Sequence, residues 1–199
     1  MDIQFEQAVL SSRAARFGAP GLRHQLRDAT SNAHRELDHA FGAFDIATVP
    51  GYRRFLEASA AALLPLETML VHAGVGAIIT DWEQRSRSTA IRNDLRLIGG
   101  QCDPLELDGG LSRHGVIGVA YVLEGSRLGA KVLLARLAAA DHGAARVAAY
   151  LRHGTGEPLW REFLALLERE EPATERELAE AIDGARFAFN MFQISAARA

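Results

Sequence analysis

The chain of 199 residues has one cysteine, Cys102, and one lysine, Lys131. A lone thiol excludes a disulfide framework and a thiolate metal cluster, and it fits a reducing, cytoplasmic setting. With lysine almost missing, nearly every cation is an arginine, the side chain suited to planar two-point grips on carboxylates and phosphates. The net charge of −3 speaks against a general nucleic-acid binder. No run of about 18 uninterrupted apolar residues occurs, so no membrane span is expected. The start, Met1-Asp2-Ile3-Gln4-Phe5-Glu6, lacks the basic opening and apolar run of a signal peptide. Strand patterns are nearly absent, and Gly76-Ala77-Ile78-Ile79-Thr80 is too isolated to build a sheet. Without strands there is no phosphate loop, and neither a flavin nor a nicotinamide motif is present. A Gly-x-Ser-x-Gly elbow and a His-Glu-x-x-His pair are also missing. A di-iron bundle needs two Glu-x-x-His motifs on different helices, and only Glu36-Leu37-Asp38-His39 has that spacing.

What is present is helical periodicity. After a lead-in over residues 1–20, a helix is expected from Gly21 to Phe41, with Leu22, Leu26, Ala29, Ala33, Leu37 and Phe41 on one stripe and His34 at its border. Thr48-Val49-Pro50 starts the next helix, which contains Pro65 and should bend there. Asp81 caps a further segment, and Ile91, Leu95 and Ile98 mark another that Gly99 and Gly100 stop. Pro158 and Pro172 open the last two. The reading is all-α, one domain over residues 21–199 with about seven or eight helices.

The stretch from His114 to Leu137 organises the rest. It reads as one long helix, apolar almost all round, and such a helix is buried. Yet Gly125 and Gly129 stand inside it, each costing about 1 kcal/mol relative to Ala. Glycines four apart share one face and let something come very close. Either a neighbouring helix crosses tightly there, or a planar ligand lies against the backbone.

A heme site asks little of a sequence: one imidazole on a helix face, an apolar slot and basic groups for the propionates. The run Leu26-Arg27-Asp28-Ala29-Thr30-Ser31-Asn32-Ala33-His34 resembles the proximal helix of heme oxygenases. Tyr121 to Lys131 resembles their distal helix, in the Leu-Glu-Gly-Ser-x-Leu-Gly form of bacterial, bacteriophytochrome-associated members. Phe187-Ala188-Phe189-Asn190 is similar to the Phe-x-x-Asn of the family's last core helix. The three together cover about residues 20–195.

The resemblance implies an all-α heme-oxygenase-like fold, with heme sandwiched between a proximal and a kinked distal helix. It implies oxidative cleavage of heme b, substrate and cofactor at once, to biliverdin, ferrous iron and carbon monoxide. O2 and an external electron donor, a ferredoxin or a reductase, would be consumed. A transient redox partner and a bacteriophytochrome acceptor of biliverdin follow from the same likeness. By residue, His34 would be the iron ligand, and Gly125 and Gly129 would press on the heme. Ser126 would hold a water near them, and Arg27 and Arg161 would meet propionates. Phe187 would pack near the macrocycle, and Asn190 would join a polar network. Two departures stand out: Ser126 replaces the Asp of many members, and Ala130 replaces the second glycine of a Gly-Gly pair. Glu124 is an ionic group of the distal network, bonds Arg127 or faces solvent. The alternative on the same fold is a non-catalytic heme carrier or sensor; a helical interaction protein without heme is a third reading.

Overall fold

Pro65 removes an N–H from the middle of a helix, and the fold answers that loss with a bond from elsewhere. The Ala61 carbonyl that Pro65 cannot serve accepts from the Leu105 N–H at 2.9 Å, so the helix runs unbroken through the proline. The structure is a computed structural model that describes residues 20–140 and 143–199. Nearly all of the expected lead-in, residues 1–19, lies outside the described residues.

Among the described residues there are nine α-helices and no strand. In chain order they are α1 Leu22–Gly42, α2 Val49–His72, α3 Trp82–Arg85, α4 Ser88–Ile98, α5 Arg113–Gly125, α6 Arg127–Ala139, α7 Ala149–Arg152, α8 Leu159–Arg169 and α9 Glu175–Arg198. Short 3-10 turns occupy Val75–Ala77 and Ala144–Arg146. The Thr48 side chain accepts from the Gly51 N–H and caps α2, with Pro50 in its first turn. The last helix begins three residues after Pro172. Thr174 and Glu177 form a reciprocal capping box there, and that box sets the start. Asp81 stands at the expected N-cap of α3 but makes no cap bond. Its carboxylate instead accepts from Arg85 Nε at 2.8 Å.

The central element departs from the single helix that its periodicity suggests and has the break that the resemblance to a kinked distal helix implies. It stops at Gly125 and restarts at Arg127, with Ser126 alone between α5 and α6. The first half is buried from Gly115 to Glu124 except for the half-buried Tyr121. The second half is not: Leu137 is its buried residue, while Leu128 and Val132 are 56% and 63% exposed. The tight helix crossing lies elsewhere. A Cβ at Gly118 would overlap the Ala181 carbonyl, and one at Gly184 would overlap the Gly115 carbonyl. Gly118 and Gly184 therefore bring α5 and α9 into backbone contact at the centre of the core.

Helix α2 is long and apolar enough to cross a membrane by length and composition alone. However, 61% of its most apolar window is buried against neighbouring elements, which is the pattern of a core helix.

Candidate functional site

Helices α1, α2 and α5 to α9 enclose a cleft of about 960 Å³, at the upper end of the range for small-molecule and cofactor sites. Its apolar lining includes Phe41, Phe55, Leu133, Trp160, Phe189 and Phe192. The exposed Leu128 and Val132 of α6 line it too. Their exposure is that of a cavity wall.

The two glycines of the central element both line this cleft. A Cβ at Gly129 would meet no atom within 4 Å, and one at Gly125 would make only ordinary contact, 3.7 Å, with the Trp160 ring. No neighbouring helix needs their bareness. Of the two explanations for the pair, tight helix packing fails at these positions and succeeds at Gly118 and Gly184. What Gly129 leaves is open space along the cleft.

His34 lines the cleft from α1. Its Nδ1 lies 2.9 Å from Asp38 Oδ2, one helical turn on. With Nδ1 turned to that carboxylate, Nε2 is the ring nitrogen left for a metal. The ring also sits 5.8 Å from that of Phe189. Asp38 was not foreseen, although its i,i+4 spacing from His34 was readable in the sequence. Arg27 lines the cleft as well, with its guanidinium 3.1 Å from Asp28 and largely exposed. Arg35 and Arg136 add two further cations to the lining.

Three expected residues lie off the cleft. Arg161 is exposed on α8 and its neighbour Trp160 faces the cavity instead. On α9 the lining residues are Phe189 and Phe192, whereas Phe187 is half-buried off the cleft and Asn190 is exposed. The reason is helical phase. At 3.6 residues per turn, positions two apart point to nearly opposite sides, so a motif can be present while its neighbours face the cavity.

Behind the cleft wall lies a buried ionic cluster that sequence reasoning only touched. Glu124 is 1% exposed and does not face solvent. Its Oε2 accepts from Arg85 Nη1 at 2.7 Å, and its Oε1 accepts from Arg127 Nη2 at 2.8 Å. Hydrogen bonding to Arg85 holds the Asp81 carboxyl below the usual range. A second acid, Glu67, is 3% exposed and accepts from the Arg87 and Ser88 N–H groups and both Ser86 and Ser88 hydroxyls. Arg87 itself is 4% exposed and lines the cleft. Its Nη2 donates to the Leu123 carbonyl at 2.9 Å, its guanidinium carbon lies 5.2 Å from the Tyr150 ring centroid, and its Nε has no partner. It is the cleft's buried cation. Asp94 fixes the adjoining wall by accepting from the Ala149 and Tyr150 N–H groups at the start of α7.

These residues fit a heme. The set comprises one imidazole with a carboxylate beside its Nδ1, an apolar slot, bare backbone at Gly129 and arginines able to reach carboxylates.

No family model matches the chain. A heme oxygenase of Xanthomonas campestris pv. campestris (strain 8004) is 36% identical over 113 residues, 56% of this chain and 67% of the relative. Among solved structures, the NO- and CO-bound heme oxygenase of Neisseria meningitidis superposes with a TM-score of 0.76 at 25% identity, over 90% of this chain and 92% of that one.

Proposed function

This chain belongs to the heme oxygenase family, and we propose that it binds heme b in the cleft and opens it to biliverdin, ferrous iron and carbon monoxide. The observation that carries the reading is the pairing of His34 with open space over Gly129 in one apolar cleft. Heme supplies the redox chemistry; the protein supplies binding, orientation and control of water.

His34 Nε2 would hold the heme iron, with Asp38 beside its ring as the orienting group. Gly125 and Gly129 would leave the heme room free of side-chain bulk. Arg27, Arg35 and Arg136 are the cations available to the propionates; Arg161 is not among them. Ser126 donates its hydroxyl hydrogen to the Leu123 carbonyl at 2.7 Å, so its oxygen is left to accept from water. It orders water near the reacting face rather than carrying charge. Phe189 and Phe192 take the packing role expected of Phe187.

Electrons come from a separate donor, a ferredoxin or a reductase, which meets the protein in the cytoplasm. Within the same proposal, the bacteriophytochrome-type distal motif supports a photoreceptor as the acceptor of biliverdin.

The test is an absorption time course of the hemin complex in air, with catalase present and ascorbate or ferredoxin and its reductase as donor. A falling Soret band with a growing broad red band is the expected result. A stable reduced spectrum would overturn the reading in favour of a non-catalytic heme carrier or sensor.

A further inference from the structure

The break between α5 and α6 needs a cause, and the local backbone does not supply one. Ser126 keeps right-handed helical angles, φ −61° and ψ −20°. The flanking glycines permit a break without requiring it. Side chains hold it instead. An uninterrupted helix offers the Leu123 carbonyl to the Arg127 N–H. Here that oxygen accepts from Ser126 Oγ at 2.7 Å and from Arg87 Nη2 at 2.9 Å.

Arg127, the first residue beyond the break, folds its guanidinium back beneath it, and its side chain is 8% exposed. Its Nε and Nη2 donate to Glu124 Oε1 at 3.0 and 2.8 Å. Nη2 also donates to the Arg85 carbonyl. Nη1 reaches His153 Nδ1 at 3.1 Å and the His153 carbonyl at 3.4 Å. One side chain thus ties together the last turn of α5, the end of α3 and the residue following α7. Arg85, which holds the other oxygen of Glu124, also donates to the Leu159 carbonyl at the start of α8. The next residue, Trp160, is the ring beside Gly125. Arg85, Glu124 and Arg127 do not line the cleft, so the cluster acts on the wall from behind.

We propose that Arg127 is a positioning residue: by locking the α5–α6 break from behind, it sets how far Gly125, Ser126 and Gly129 reach over bound heme. It thereby governs how fast the macrocycle is opened and at which edge. The inference rests on the heme-opening reading above. Loosening the break leaves His34 and the apolar walls in place, so heme still binds. What shifts is the spacing between the distal backbone and the reacting face, where a displacement of about 1 Å costs on the order of 100-fold in rate.

The experiment compares Arg127→Met and Arg127→Lys with the parent as hemin complexes. In Arg127→Met, Glu124 keeps Arg85, so no buried carboxylate is stranded. The expected result is hemin affinity within about threefold of the parent and turnover lowered by about 10- to 100-fold. The ratio of biliverdin isomers changes, and the carbonyl stretching band of the CO-bound ferrous complex broadens or shifts. Arg127→Lys, which keeps the charge but not the fork, falls between the two. A parental isomer ratio together with a parental carbonyl band in Arg127→Met overturns the proposal. If Arg127→Met fails to fold or to take up hemin, the same two readouts on Arg127→Lys decide it. If the parent itself does not open heme, the functional reading fails, while the carbonyl band still decides the role of Arg127.

Discussion

Ser126 and Arg87 hydrogen-bond to one oxygen, the Leu123 carbonyl, at 2.7 and 2.9 Å. The relationship places a fixed positive charge next to a hydroxyl whose proton is already committed. At Ser126 this cleft has a neutral acceptor backed by a buried cation, Arg87. A group of that kind favours negative charge in the cavity, the more so because little water screens it.

Arg87→Met tests that electrostatic reading. The Leu123 carbonyl keeps Ser126 as a donor, so the break itself stays bonded. The ferric hemin complex of this variant should bind azide or fluoride about tenfold more weakly than the parent, as read by absorption titration. Equal affinities would mean that the buried Glu67, which accepts from the Arg87 backbone N–H, already cancels the charge.

The glycines separate ligand space from helix packing. In Gly129→Ala the new methyl meets no protein atom within 4 Å. The heme-free protein should gain about 0.5 kcal/mol from the better helix former while hemin affinity and turnover fall. In Gly118→Ala the methyl overlaps the Ala181 carbonyl, and the loss should exceed about 3 kcal/mol, as for overpacking against rigid backbone. Thermal melts with and without hemin distinguish the two. Equal destabilisation by both substitutions would contradict the assignment.

His34→Ala should abolish the specific Soret band that hemin develops with the parent. Asp38→Asn keeps the size of the side chain but loses the carboxylate beside Nδ1. It should weaken hemin binding by about tenfold, the usual scale for a group that orients a metal-binding histidine. Hemin titration checks both, and a fully retained Soret complex in His34→Ala would remove that residue from the site.

His153 gives a pH signature. Burial, then the Arg127 and Arg87 cations, hold its pKa below the ordinary 6.5. The folded protein therefore binds this proton less readily than the unfolded chain. Stability falls as pH drops through 6.5, and the loss is complete below the folded value. His153→Gln keeps an acceptor for Arg127 but not the titration. The melting-temperature difference between parent and variant should therefore move against the parent as pH falls from about 7 to about 5. A pH-independent difference would show that His153 titrates alike in both states.

Much of this protein was legible without its fold. Periodic stripes announced α1, α2 and α4, and Thr48 with Pro50 located the start of α2 to within a residue. The order of His34 and the Gly125–Gly129 pair pointed to the cleft that both line. These signals are local, because helix period, caps and backbone permissiveness depend on neighbours within a turn or two.

Other features were set by partners distant in sequence. The sequence alone determined that the chain is helical, which faces are apolar, and that bare backbone stands at Gly125 and Gly129. Tertiary structure decided that α5 and α6 part at Ser126, because Arg87 and Arg85 arrive from another part of the chain to bond that region. It decided that Glu124 is buried between two arginines rather than solvated. It also decided that Phe189 and Phe192 face the cleft while Phe187 and Asn190 do not. A periodic stripe shows which residues share a face; only packing shows what that face meets.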